Sequence, residues 1–537
     1  MAEPPDQLET SSTDRPARLT GSMLLLGGLS LSIGWGIRGN FGHEYGAMMP
    51  GALAAIAVVL VSGRQDWWRR IAYFAFFGAL GWSFGGMMSY GQVIAYTHSG
   101  HLPSQAYGFA CLFVIGFIWG AIGGAGTAAP ACMDRDRLTE LLGPIIAVFV
   151  AWTLQDVGMF LSMTDDGAFR HEEALYWKDT DWVAALLAIP AVLIYAGIRR
   201  RVCLGTSLVL HASIGWWIGF LLLVEVLGLR MTPPRSDNWA GALGMTVGIF
   251  VFCHRHRLAS VLLAGLVSGF IGGFGFAMAQ VIKLLGLKTG LATNWHSVLE
   301  QTYGFINGIG IAVAMGILAS RTGRVTDEPP VRRWSGPFCV GFVALAVTYV
   351  NLVKNVETWV KFKAMPETMY GLHSYWWFSI GYLLALVAFV ILAAAHRRRA
   401  LAVIPTSWVG GGQMLYLVFL WVVVIGNLMR AIPPFHQQRL ITEGVIIVNA
   451  LIVTVLVLLW AGKTRSAPQV GIPSYRRWII GTVVVGLIGT VVSLYGQTAI
   501  TRRCYPDKRA PSSGDHVRFG PNATATKAKP KAGQPHP

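Results

Sequence analysis

Apolar runs of about 20 residues recur along this chain, and that length constrains its fold more than any motif does. Lipid offers no partner to backbone N–H and C=O groups, so such a run crosses hydrocarbon as a helix. About fifteen runs are apparent, near 20–38, 46–62, 70–97, 106–130, 141–163, 182–198, 206–229, 239–254, 258–285, 302–320, 336–357, 375–395, 408–429, 441–461 and 477–498. Of the 537 residues, 54% are hydrophobic and 13% charged, against about 25% charged in soluble domains. Mean hydropathy is +0.52. The fold class predicted is an all-α polytopic membrane protein. A β-barrel is disfavoured, because its strands alternate over only about 10 residues. The 63 glycines suit closely packed membrane helices, and the 20 tryptophans suit interfacial belts.

A net charge of +17 would suit nucleic acid, but the basic residues cluster in short loops between spans. One alternate set of loops holds Arg64, Arg69 and Arg70, then Arg135 and Arg137, Arg199 to Arg201, Arg255 and Arg257, Arg332 and Arg333, Arg397 to Arg399, and Arg476 and Arg477. The positive-inside rule puts these loops and the N-terminus in the cytoplasm of a plasma or inner membrane. The expected partners are therefore the bilayer and a small solute, not nucleic acid. Residues 1–19 read as a disordered cytoplasmic tail and 501–537 as a disordered basic one. An odd span count places the second tail outside; one span more or fewer returns it inside. The six cysteines are scattered without metal-ligand spacing and read as packed thiols.

Short motifs recur in order. Ser32-Ile33-Gly34-Trp35 returns as Ser213-Ile214-Gly215-Trp216, Gly51-Ala52-Leu53 as Gly241-Ala242-Leu243, Gln92-Val93-Ile94 as Gln280-Val281-Ile282, and Tyr107-Gly108-Phe109 as Tyr303-Gly304-Phe305. The collinear matches predict a six-helix repeat over 20–201, a second over 206–399, and a truncated three-helix third over 406–498. An even number of helices per copy makes the repeats parallel. Gly-Trp pairs also recur within a copy, at Gly34-Trp35, Gly81-Trp82 and, reversed, Trp119-Gly120.

Ionisable groups beside a bilayer core are costly and so are candidates for function. Arg38, His43 and Glu44 crowd the glycine-rich corner after the first span. They read either as an anion-binding and proton-exchanging mouth or as an Arg38–Glu44 ion pair closing a tight turn. Gln92 and Gln280 hold matching positions at span ends and read as cavity-lining amides or as backbone caps. With Arg38, His43 and Glu44 they form the candidate substrate site. Glu225 and Asp156 lie inside apolar runs and are candidate coupling carboxylates. His43, Glu44, His98 and His101 offer metal-type ligands in loops, though His98 and His101 lack the i, i+4 spacing of zinc hydrolases. No cofactor is expected unless these four hold a divalent cation.

The chain carries no GxxxxGK[ST], no HExxH and no GxSxG elbow on an α/β pattern, so soluble catalytic chemistry is not expected. The leading expectation is a secondary, proton-coupled transporter or permease for a small polar or anionic solute. The alternative is an integral-membrane enzyme with an outer-face His/Glu site acting on a lipid or lipid-linked substrate. A scaffold with no site of its own is the third reading.

Overall fold

The computed structural model describes residues 13–39, 44–86, 88, 90–162, 180–229, 231, 237–325, 333–353, 356–361, 363, 365–401, 403–431, 437–467 and 475–506. In chain order come strand β1 (Thr13–Pro16) and helices α1 (Gly21–Arg38), α2 (Glu44–Leu60), α3 (Gln65–Trp68), α4 (Ile71–Phe84), α5 (Gly91–Tyr96), α6 (Leu102–Cys132) and α7 (Arg135–Ser162). Then follow α8 (Thr180–Arg199), α9 (Leu204–Phe220) with a π-helical extension over Leu221–Val226, α10 (Asn238–Arg255), α11 (Ala259–Leu287) and α12 (Trp295–Arg321). The rest comprises α13 (Ser335–Gly341), a π stretch over Phe342–Val347, α14 (Thr348–Leu352), α15 (Val356–Lys361), hairpin strands β2 (Thr368–Met369) and β3 (Leu372–His373), α16 (Ser374–Arg398), α17 (Trp408–Ala431), α18 (Gln437–Trp460), β4 (Arg465–Ser466) and α19 (Tyr475–Cys504).

Among the described residues, 11 helices are long and apolar enough to cross a membrane; two further apolar helices, Tyr45–Leu60 and Ile71–Phe84, are shorter. The chain is an all-α polytopic membrane protein. Two of the apolar runs are not single helices. The run 70–97 stops at Phe84 and resumes at Gly91. There Gly85 and Gly86 follow in tight turns, with Gly86 N–H bonded to Ser83 O at 2.8 Å, and glycine pairs weaken a helix. The run 336–357 is divided by a π stretch between α13 and α14.

The chain forms two compact units. The first comprises Met1–Met87, Phe113–Gly143 and Phe250–Gln497; the second comprises Met88–Leu112, Pro144–Ile249 and Thr498–Pro537. In the first unit, helices cross where a glycine faces a carbonyl of its neighbour. A Cβ on Gly304 of α12 would lie 2.8 Å from Leu31 O of α1, and one on Gly308 would strike Gly27 O. Gly272 of α11 faces Gly116 O of α6 at 2.6 Å, and Gly78 of α4 faces Gly51 O of α2 at 2.8 Å, each measured from the same hypothetical Cβ. This is small-residue packing at i, i+4 spacing. It substitutes close backbone contact for the hydrophobic drive that lipid removes. The glycine-dense stretch Gly120 to Gly124 is one of these faces.

Arginines collect at one end of the first unit. Arg70 Nη1 donates to Met133 O at 2.5 Å, and Arg135 Nη2 donates to Arg69 O at 2.8 Å. Parallel strands β1 and β4 pair beside them, with Arg465 N–H bonded to Gly63 O at 2.9 Å.

In the second unit, α9 and α10 cross antiparallel. Gly215 packs on Gly244, Gly219 on Ala240, and the Trp216 ring lies on Gly241. Asp237, fully buried, caps the approach to α10 by accepting from Met231 N at 2.7 Å.

Candidate functional site: a buried ion pair in an aromatic cage

Arg38 ends α1, and Glu300 sits two turns into α12. Each is where a helix end favours its charge, the cation at a C-terminus and the anion near an N-terminus. α12 is started by Asn294, whose Oδ1 accepts from Ser297 N at 3.2 Å. The Gly27/Gly308 and Leu31/Gly304 contacts bring α1 and α12 together antiparallel. That register sets the last turn of α1 against the second turn of α12.

Arg38 Nη2 donates to Glu300 Oε1 at 2.9 Å, and the two side chains are only 1% and 4% exposed. A Cβ on Gly39 would lie 3.0 Å from the Glu300 carboxyl carbon, so only glycine leaves this carboxylate its place. Stripping water from an unpaired ion would cost several kcal/mol, so each charge needs the other here.

Aromatic rings complete the cage. The Arg38 guanidinium carbon lies 4.9 Å from the Trp35 ring and 5.3 Å from Trp119, within cation–π range. Trp35 makes edge contacts with Trp82 at 5.2 Å, Trp119 at 4.9 Å and Tyr303 at 4.9 Å. The tryptophans of all three Gly-Trp recurrences thus meet in one cluster. Phe276 closes it from α11, 4.5 Å from Tyr303.

The rim is polar. His296 Nε2 lies 3.7 Å from Glu300 Oε1, and its side chain is 48% exposed. Gln301 Nε2 donates to Ser297 Oγ at 3.2 Å and to Thr442 O at 3.1 Å, tying α18 to the site. One residue on, Glu443 Oε2 accepts from Asn427 Nδ2 at 2.5 Å, both buried.

The other residues singled out in the sequence fall variously. Gln280 is fully buried on α11. His43 and the side chains of Glu44 and Gln92 lie outside the described residues, so the Arg38–Glu44 alternative cannot be placed; Arg38 is bonded to Glu300. In the second unit, Glu225 lies on the π-helical extension of α9 and Asp156 on α7, and both are exposed. His98 Nδ1 pairs with Ile94 O at 3.1 Å and His101 Nδ1 with Ser104 Oγ at 2.9 Å. Among the described residues, no group of three His, Cys, Asp or Glu side chains is arranged to hold a metal.

Glu300 and His296 are the residues that reading the sequence missed. Both fell just before the run drawn at 302–320. The available signal was their spacing, since His296, Glu300 and Tyr303 follow one helical face ahead of Gly304 and Gly308. No protein-family model matches the chain, and no curated protein matches it in sequence.

Proposed function

We propose that this chain is a secondary transporter or permease for a small polar or anionic solute, working through Arg38 and Glu300. The observation that carries the reading is a buried guanidinium bonded to the Glu300 carboxylate between membrane helices and set against two indole rings. A buried charge exchanges partners far more cheaply than it loses one. An anionic group of the solute can take the place of Glu300 on Arg38, provided Glu300 gains a proton at the same step. Net buried charge is then unchanged. His296, half-exposed and 3.7 Å from Glu300, is the group that passes this proton from solvent. The solute and one proton therefore enter together. In this scheme Glu300 is the coupling carboxylate, in place of Glu44, Glu225 or Asp156.

The same proposal keeps the arginine-rich loops and the N-terminus cytoplasmic, and keeps the tandem duplication of six-helix blocks. In favour of the duplication, the matched glycines Gly34 and Gly215 both lie against a later helix, on Pro50 of α2 and on Gly244 of α10 respectively. The outer-face enzyme would draw its metal ligands partly from His43 and Glu44, and no described contact favours it.

The test is uptake by proteoliposomes of the purified chain, challenged with radiolabelled small carboxylates and inorganic phosphate under an inward proton gradient. Uptake of at least one anion, driven by the gradient, lost in Arg38→Gln and partly kept in Arg38→Lys, is the expected result. Uptake that is undiminished in Arg38→Gln defeats the assignment.

A further inference from the structure

A groove of about 500 Å³ runs between α11 and α19 in the first unit, floored by Val267, Phe270 and Ile271 and walled by Trp478 and Val485. The helices touch at Gly486, where a Cβ would lie 2.5 Å from the Phe270 ring. The groove extends from that touch along the first turns of α19, past Thr482 and Gly481, to a mouth at its N-terminal end. Arg477 lines that mouth. Arg321, the last residue of α12, stacks over Trp478 with its guanidinium carbon 4.0 Å from the ring centroid. Tyr475 Oη, one turn away, is buried without a hydrogen-bond partner.

We infer that this groove binds one anionic phospholipid, an acyl chain along Phe270 and Val485 and the phosphate between Arg477 and Arg321. The volume falls in the range of about 300–1,000 Å³ that holds a small ligand. The apolar floor matches a hydrocarbon chain. Two guanidiniums at a helix end, one fixed in place by an indole face, match a phosphodiester better than a zwitterionic headgroup, whose amine they repel. Trp478 sits where tryptophan prefers the headgroup level. The inference does not depend on transport.

The full chain is reconstituted in vesicles of phosphatidylcholine with a minor fraction of phosphatidylglycerol, extracted in mild detergent, and its retained lipid is counted by mass spectrometry. Retained lipid should be enriched in phosphatidylglycerol. Arg477→Gln should cut that enrichment about fivefold, the factor for one basic contact near an anionic surface. Val485→Trp, which fills the groove and leaves both arginines, should reduce total retained lipid. Arg502→Gln, at the far end of α19, should change neither. No enrichment in the parent chain overturns the inference, as does enrichment untouched by Arg477→Gln and Val485→Trp, or lost equally in Arg502→Gln.

Discussion

Among the described residues, the first unit holds two buried arginine–carboxylate pairs, and they differ in what else they reach. Arg64 and Asp66 are two residues apart and joined by two hydrogen bonds, Nε to Oδ1 at 2.8 Å and Nη2 to Oδ2 at 2.6 Å. The remaining Arg64 donors reach Ala319 O at 3.1 Å, Thr322 O at 2.8 Å and Gly323 O at 2.9 Å. These are carbonyls that the end of α12 leaves without intrahelical partners. Asp66 Oδ2 also accepts from Val325 N at 3.2 Å. The Arg64 guanidinium carbon, like that of Arg38, also lies over an indole, 5.0 Å from the Trp67 ring centroid. Arg38 and Glu300 instead come from helices 262 residues apart in sequence. They are set against rings and reach a half-exposed histidine. The contrast separates a clamp from an exchangeable pair. Fixed carbonyls leave an ion no other partner to take, whereas Glu300 lies 3.7 Å from a histidine that is half-exposed.

The largest effect should come from breaking the clamp. Asp66→Asn leaves a guanidinium fully buried among carbonyls with no anion, and should cost about 3–5 kcal/mol. The buried cysteines Cys111, Cys203, Cys253 and Cys339 supply the readout. A thiol-reactive dye labels them only as the fold opens, so the melting midpoint in detergent should drop steeply. A midpoint close to that of the parent chain would remove the distinction between the two pairs.

Next in size is the exchangeable pair. Arg38→Gln and Glu300→Gln should each destabilise, because each removes one member of a buried ion pair. The double replacement should regain much of that loss, since two neutral amides of similar shape can hydrogen-bond to each other. Uptake should stay absent in the double variant. Recovery of stability without recovery of uptake is the pattern of a pair kept for exchange. A double variant as unstable as the two single losses added together would make Arg38–Glu300 a second clamp. It would leave the proposed transport without its site.

How far the sequence disclosed this contrast depends on distance along the chain. Membrane class and glycine faces were legible because run length and i, i+4 spacing are local properties. Arg38 stood out because a cation at the end of an apolar run is costly wherever it points. Its partner was not legible: nothing local links residue 38 to residue 300. The pairing is set by the α1–α12 register, which Gly27, Gly304 and Gly308 impose by lying against backbone of the facing helix. Arg64 and Asp66 were hidden for the opposite reason. In an arginine-rich loop they read as a topology signal, and the carbonyls that hold Arg64 come from a helix 255 residues or more away. The Gly-Trp pairs showed only as recurrences within a copy, and their meeting around one guanidinium required the fold.

The smallest effect is predicted at Glu225, and it bears on the same contrast from outside. Local pattern made it a leading coupling candidate, as a carboxylate among Val224, Val226 and Leu227. The π-helical extension of α9, with Leu227 N–H bonded to Leu222 O at 3.0 Å, leaves its side chain exposed. Close to the helix end it can reach toward water instead of being held in hydrocarbon. Glu225→Gln should therefore shift stability by no more than about 0.5 kcal/mol and leave gradient-driven uptake at the parent rate. If uptake loses its dependence on the proton gradient while Glu300→Gln keeps it, the proton is carried in the second unit. Arg38–Glu300 would then bind the solute without coupling it, and exchange of partners there would need a cation other than the proton to balance the charge.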